Sequence, residues 1–107
     1  MRSSEDQTVV FSGPHTVRTV SAAHSRLCTA FAASPAVSLD LGDVTEADLS
    51  FVQLIEAARI SAGLAGGRLV LSAPAAGSLH DVLTRGGFLD AEDHGRREFW
   101  LHAGADQ

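Results

Sequence analysis

The stretch Leu39–Pro74, LDLGDVTEADLSFVQLIEAARISAGLAGGRLVLSAP, reads as strand, loop, helix, loop, strand. Val37 to Leu41 alternates and is apolar enough for a buried strand, and Arg68 to Leu71 is a second one. Between them, Gly42 to Asp48 reads as a short acidic loop and Leu49 to Leu64 carries helical periodicity. Ala65-Gly66-Gly67 ends that helix. A strand–helix–strand unit of this length implies a parallel crossover, because parallel neighbours cannot be joined by a tight turn.

Upstream, Thr8 to Phe11 is β-branched and aromatic and reads as a first strand, turned by Ser12-Gly13-Pro14. Thr16 to Ala33 follows as a helix with an apolar stripe of Val17, Val20, His24, Leu27, Cys28 and Phe31, stopped by Ser34-Pro35. Downstream, Pro74 opens a helix over Ala75 to Arg85 with Leu79, Val82 and Leu83 inward, and Gly86-Gly87 closes it. Phe88-Leu89 packs back, residues 90–96 form a polar loop, and Glu98 to His102 reads as a last strand carrying Phe99 and Trp100. The element order β-α-β-α-β-α-β predicts an α/β fold with a small mixed or mostly parallel sheet. Residues 8–102 form one domain in this reading, with flexible tails at 1–7 and 103–107.

A chain of 107 residues has room for one core. Charged residues make up 20%, too few for a disordered polyelectrolyte. A net charge of −5 argues against a nucleic-acid backbone or an anionic membrane surface as the main partner. All eight basic residues are Arg, with no Lys, Tyr or Asn, a composition that fits a GC-rich bacterial genome. The single cysteine, Cys28, forms no internal disulfide and fits a reducing cytoplasm. No apolar run reaches membrane-spanning length, and residues 1–7 lack the apolar segment of a signal peptide.

The residues Leu39, Asp40, Leu41, Val44, Asp48, Ser50, Gly66, Gly67, Leu69 and Leu71 align without a gap to the pattern L-D-L-x-x-V-x-x-x-D-S-S-G, apolar helix, G-G-x-L-x-L. That pattern resembles the centre of a STAS domain, the module shared by sulfate transporters and anti-sigma factor antagonists. The resemblance runs from Val9 to Phe88. It implies a sheet with its helices mainly on one side, its first edge trimmed because the chain before Gly13 is too short for the family's opening hairpin. Two departures fall on functional positions. Leu49 stands where the family has its phosphorylatable serine or threonine, and Phe51 where it has glycine.

On a helical wheel, Phe51, Leu54, Ile55, Ala58 and Ala62 form the core stripe of the central helix. The opposite face carries Leu49, Val52, Gln53, Glu56 and Ile60, an aliphatic and polar mixture that reads either as a protein-docking surface or as scattered exposed apolar residues. The STAS resemblance favours docking, because those domains engage partners around the start of this helix, and it adds Thr45 and Asp48 to the partner-binding set. Asp48 is also placed to cap the helix, with Thr45 as a second capping choice. Ser50 is the candidate for a displaced phosphorylation site, its alternative being a first-turn serine facing water.

Enzyme-like constellations are weaker. Asp40, Asp43, Glu46 and Asp48 lack the second acidic pair of a phosphoaspartate site and the alternating oxygens of a metal loop. The five histidines show no zinc spacing, Ser78, His80 and Asp81 no nucleophile elbow, and Gly63, Gly66 and Gly67 no phosphate-loop lysine. No cofactor, metal or catalytic residue is therefore expected. The expected function is that of a non-enzymatic, cytoplasmic bacterial regulatory domain similar to anti-sigma factor antagonists and lacking the usual phospho-switch serine. Its partner would be a serine-kinase-like anti-sigma factor, a chemotaxis kinase or a transporter ATPase. The alternative is a STAS-type accessory subunit of a membrane lipid transporter, docked to the ATPase without entering the membrane.

Overall fold

A computed structural model describes residues 6–89 and 94–102. Along them run β1 (Asp6–His15), α1 (Val20–Ala33), β2 (Ala36–Ala47), α2 (Leu49–Leu64), β3 (Arg68–Leu71), α3 (Gly77–Arg85) and α4 (His94–Leu101). The strands form one sheet in the order β1-β2-β3, and both pairings are parallel. The element order points to a mixed or mostly parallel sheet, and among the described residues all three strands run parallel. The tails expected at residues 1–5 and 103–107, and residues 90–93 of the expected polar loop, lie outside the described residues.

Sequential parallel strands with right-handed crossovers carry both connecting helices to one face of the sheet. Side-chain alternation agrees: Val9, Phe11, Val37, Leu39, Leu69 and Leu71 are buried, whereas Thr8, Val10, Arg68 and Val70 are exposed. α1 and α2 pack side by side on the covered face, and α3 reaches both β2 and α2. The fold is α/β and STAS-like, with its helices mainly on one side.

Leu49–Leu64 and Arg68–Leu71 have the bounds expected from sequence. Their junction shows why two glycines are needed. The Gly66 N–H donates to Gly63 O at 3.2 Å and the Gly67 N–H to Ala62 O at 2.8 Å, a Schellman ending with Gly66 at φ +84°. A Cβ at Gly67 would collide with the Pro35 carbonyl, to which Arg68 N–H donates as β3 begins.

Five elements differ from the sequence reading. α3 starts at Gly77 rather than at Ala75 after Pro74, because Ala76 is extended and the Ala75 N–H donates to Trp100 O at 2.7 Å. β1 starts at Asp6, inside the expected tail, and continues to His15 through the expected Ser12-Gly13-Pro14 turn. Proline is tolerated there because β1 is an edge strand among the described residues. β2 likewise runs to Ala47 through the expected acidic loop, absorbing extra residues at two register shifts opposite Val10–Ser12 and Gly13–Pro14. Near the first of them the Asp40 carboxylate accepts the Gly42 N–H at 3.0 Å.

α1 starts at Val20 rather than Thr16, because Thr16–Thr19 closes into a turn with Thr19 N–H and Oγ1–H both donating to Thr16 O. Its buried residues are Ala23, Leu27 and Ala30. Val17, His24 and Cys28, expected in the core stripe, are exposed. Small alanines let the helix lie close to the sheet, which turns the larger side chains to the flanks.

Of the expected last strand Glu98–His102, the residues up to Leu101 are instead the end of α4 and His102 follows it, and residues 94–96 of the expected loop are the helix start. Arg96 and Trp100, one helical turn apart, reach the same Glu56 carboxylate on α2, a spacing that a strand does not provide.

Ile55 is fully buried where α2 meets the core. Ile55→Ala is expected to cost about 2–5 kcal/mol in a denaturant titration; a loss near zero would contradict this packing.

Candidate functional site

The carboxyl ends of β1 and β2 lie side by side, with His15 opposite Ala47. Asp48 is the next residue and joins three segments there. Its Oδ1 accepts the N–H groups of Ser50 at 3.0 Å and Phe51 at 3.3 Å, as an N-cap does, and the Ser50 hydroxyl at 2.6 Å. Its Oδ2 accepts the Val17 N–H at 2.9 Å from the turn before α1. Its own N–H donates to His15 O at 3.2 Å. The capping role read from sequence belongs to Asp48; Thr45, the second choice, lies within β2.

These hydrogen bonds, that of the Ser50 hydroxyl foremost, hold the Asp48 carboxyl below its ordinary range despite an opposing contribution from burial. His15 is nearly buried, its ring against Phe11 and Phe51 at 5.0 and 4.8 Å between centroids. Its Nε2–H donates to Ser12 O at 3.1 Å, and its buried Nδ1 has no hydrogen-bond partner among the described residues. Burial, aided by the charge of Arg26, lowers the His15 pKa, against the raising effect of the Ser12 carbonyl. Arg26 donates to Val10 O at 2.7 Å and lies 4.5 Å from the Phe11 ring centroid.

The residues expected to bind a partner divide into two groups. Thr45, Leu49, Gln53 and Ile60 are exposed, with Leu49 at 46% and Ile60 at 54%, and Asp48 is partly exposed beside them. Val52 and Glu56 do not belong to this face: they are 0% and 6% exposed. A single stripe on the wheel presumes that only the sheet covers α2. Here α2 also meets α1, α3 and α4, so its buried arc is wider. Val17 is the residue the sequence reading missed. At 67% exposure, and tied through its N–H to Asp48, it adds apolar surface to the start of α2. The Thr16/Thr19 pair, a turn signal rather than a helix interior, is the clue to its position.

Glu56 has a structural partner set instead. Its Oε2 accepts Trp100 Nε1–H at 2.6 Å and lies 3.2 Å from Arg96 Nε, and its Oε1 accepts Arg59 Nη2–H at 2.9 Å. The guanidinium of Arg59 stands 5.3 Å from the Phe99 centroid, and that of Arg96 5.2 Å from Phe88. Of Ser78, His80 and Asp81, Ser78 is engaged structurally: its Oγ accepts the Ala47 N–H at 3.2 Å, fastening α3 to the end of β2. Among the described residues, no group of three or more His, Cys, Asp or Glu is placed to hold a metal ion. No helix among them is long and apolar enough to cross a membrane.

The parallel three-stranded sheet with an Asp-capped α2 following its central strand defines a STAS-like fold. Among solved structures, the chain is similar to that of the anti-sigma factor antagonist SpoIIAA in its unphosphorylated form, with a TM-score of 0.61 and 17% identity. The match covers 78% of this chain and 77% of that one. No protein-family model matches the sequence, and no curated protein does.

Asp48→Ala is expected to destabilise the protein by about 0.5–2 kcal/mol in urea, the usual worth of an N-cap. Because the folded Asp48 pKa is lowered, its contribution is present above the unfolded value of about 3.9 and is lost as pH falls through the folded value. The stability gap between the native chain and Asp48→Asn should therefore shrink in titrations taken progressively below pH 4 or so. Along α2, Val52→Asp should unfold the protein and Ile60→Asp should leave it folded, as judged by circular dichroism. Equal tolerance of both would contradict the burial of Val52.

Proposed function

We propose that this chain is a non-enzymatic bacterial regulatory domain, cytoplasmic and of the anti-sigma factor antagonist type, that binds a protein partner through the start of α2. The observation that carries the proposal is the exposure of two aliphatic side chains, Val17 and Leu49, on either side of the Asp48 cap in a STAS-like fold. Gln53 and Ile60 extend the surface along the helix, and Thr45 borders it at the end of β2. Apolar side chains held on a rigid helix start lose little entropy on docking, which suits them to anchor a partner. The partner is of the serine-kinase-like anti-sigma class.

The phospho-switch of this class of protein does not operate here at its usual position. Leu49 has no hydroxyl, so phosphoryl transfer to it is impossible. Ser50 already donates its hydroxyl to Asp48 at 2.6 Å, and a phosphate there would face that carboxylate directly. The proposed protein is therefore a constitutive binder.

Co-purification from the native cells, followed by titration of the recovered kinase-like partner, tests both parts. Leu49→Asp is expected to weaken capture at least tenfold, about 1.4 kcal/mol, while leaving the circular dichroism unchanged. Unaltered capture by the folded variant would remove this surface from the interface. Intact-mass analysis of the native protein should show no phosphate. A phosphate mapped to Ser50, with regulation lost in Ser50→Ala, would overturn the constitutive reading.

A further inference from the structure

The junction around Asp48 contains a buried imidazole that the exposed surface itself does not use. His15 is the last residue of β1 and is 9% exposed. Its ring contacts Phe11 of the same strand and Phe51 in the first turn of α2, which meet edge to face at 5.7 Å between centroids. Nε2 faces the Ser12 carbonyl at 3.1 Å, and a carbonyl only accepts, so Nε2 carries the proton of the neutral ring. Nδ1 is then bare, and it is buried with no hydrogen-bond partner among the described residues. A bare ring nitrogen tolerates such a place. A second proton would make it a buried, charged donor without an acceptor.

The surrounding elements do not supply that acceptor. From α1, the Arg26 guanidinium stands over the Phe11 ring and repels a second positive charge. From β2, the residues opposite Pro14 and His15 are the exposed Glu46 and the apolar Ala47. At the start of α2, the Asp48 carboxylate is turned to the N–H groups of Val17, Ser50 and Phe51. In the turn after β1, Arg18 is exposed and also positive. The face of Phe51 would attract an imidazolium, yet it offers no lone pair to the new proton.

We propose that His15 is an acid-sensitive latch: protonation of its buried ring releases the start of α2, and with it the surface formed by Val17 and Leu49. Two attachments from this one residue make the coupling direct. Its ring packs on Phe51, and its carbonyl accepts the Asp48 N–H at 3.2 Å. A charged ring drawn out to water withdraws both. Burial, with the charge of Arg26, outweighs the Ser12 carbonyl and holds the His15 pKa low. The advantage of the closed form is therefore present above the free-histidine value of about 6.5 and is lost as pH falls through the folded value. A partner held on this surface is bound at neutral pH and let go in mild acid. That last step rests on the partner-binding reading of the surface; the latch does not.

The test is amide hydrogen exchange of the full chain at about pH 7.5 and about pH 5, expressed as protection relative to an unstructured chain. Asp48 remains ionised at both, because its carboxyl titrates below the ordinary range. Protection of the Asp48 and Val17 N–H groups is expected to fall about tenfold, under a ceiling of about thirtyfold set by free histidine, with circular dichroism constant. His15→Phe keeps a ring in place and cannot be charged, so its protection should be equal at both pH values. Should that variant not fold, the imidazole signals of His15 in the native chain serve instead. They should titrate below about 6.5, and the Val17, Asp48 and Leu49 amide signals should shift with the same midpoint. Undiminished protection in the native chain, an equal loss in His15→Phe, or a His15 ring titrating with the junction amides unmoved would each overturn the latch. Partner capture is measured in parallel. Capture that persists at about pH 5 while the junction amides lose protection would remove the surface from the interface and leave the latch standing.

Discussion

Parallel pairing of three consecutive strands is the constraint from which the remaining architecture follows. Strands that run the same way cannot be linked by hairpins, so each connection must travel back along the molecule as a helix. With a common hand of crossover, both helices fall on one face, and among the described residues the other face keeps Val10 and Val70 exposed. The same constraint brings the carboxyl ends of β1 and β2 together, where His15 and Ala47 are paired. The two outgoing segments start from one place, and a single carboxylate serves both: Asp48 caps α2 while accepting the Val17 N–H that precedes α1. Surface residues at this junction are therefore fixed relative to one another by backbone hydrogen bonds rather than by side-chain packing alone.

Where local chemistry decides a structure, the sequence is informative. Asp48 precedes a periodic run, Gly66-Gly67 follows it, and Leu69 and Leu71 alternate with polar or exposed partners; each signal acts within a few residues of its own position. The α4 helix is a different matter. Phe99-Trp100 has strand-like composition, and its helical state rests on a carboxylate that is 44 positions away from Trp100. The burial of Val52 and Glu56 was hidden for the same reason. A wheel gives the angular positions of side chains but not how many neighbours surround the helix. In the expected first helix, apolar bulk pointed to Val17 and Cys28, whereas Val17 lies in the turn before α1 and the helix buries Ala23, Leu27 and Ala30. Asp48 and the exposed Leu49 could be found from sequence; for Val17 only the Thr16/Thr19 turn signal was there, because its tie to Asp48 is a hydrogen bond spanning 31 positions.

Glu56 shows how a charge can do the work of core packing. Two hydrogen-bond donors, from Arg59 and Trp100, and the charge of Arg96 converge on it, so its burial is compensated, and this geometry selects one docking position for α4. α2 thus carries a carboxylate for each of two attachments. Asp48 ties its start to the chain before α1, and Glu56 ties its flank to α4.

The chain has one tryptophan and no tyrosine, and Trp100 is fully buried with its indole N–H on Glu56. Its fluorescence therefore belongs to a single contact, that of α4 with α2, whereas far-ultraviolet circular dichroism is dominated by α1 and α2, the two longest helices. If the two signals change together during unfolding, α4 is part of one cooperative unit with the sheet; if fluorescence changes first, the last helix leaves as a separate unit. The molecule contains its own optical probe at a junction where its fold depends on a buried charge.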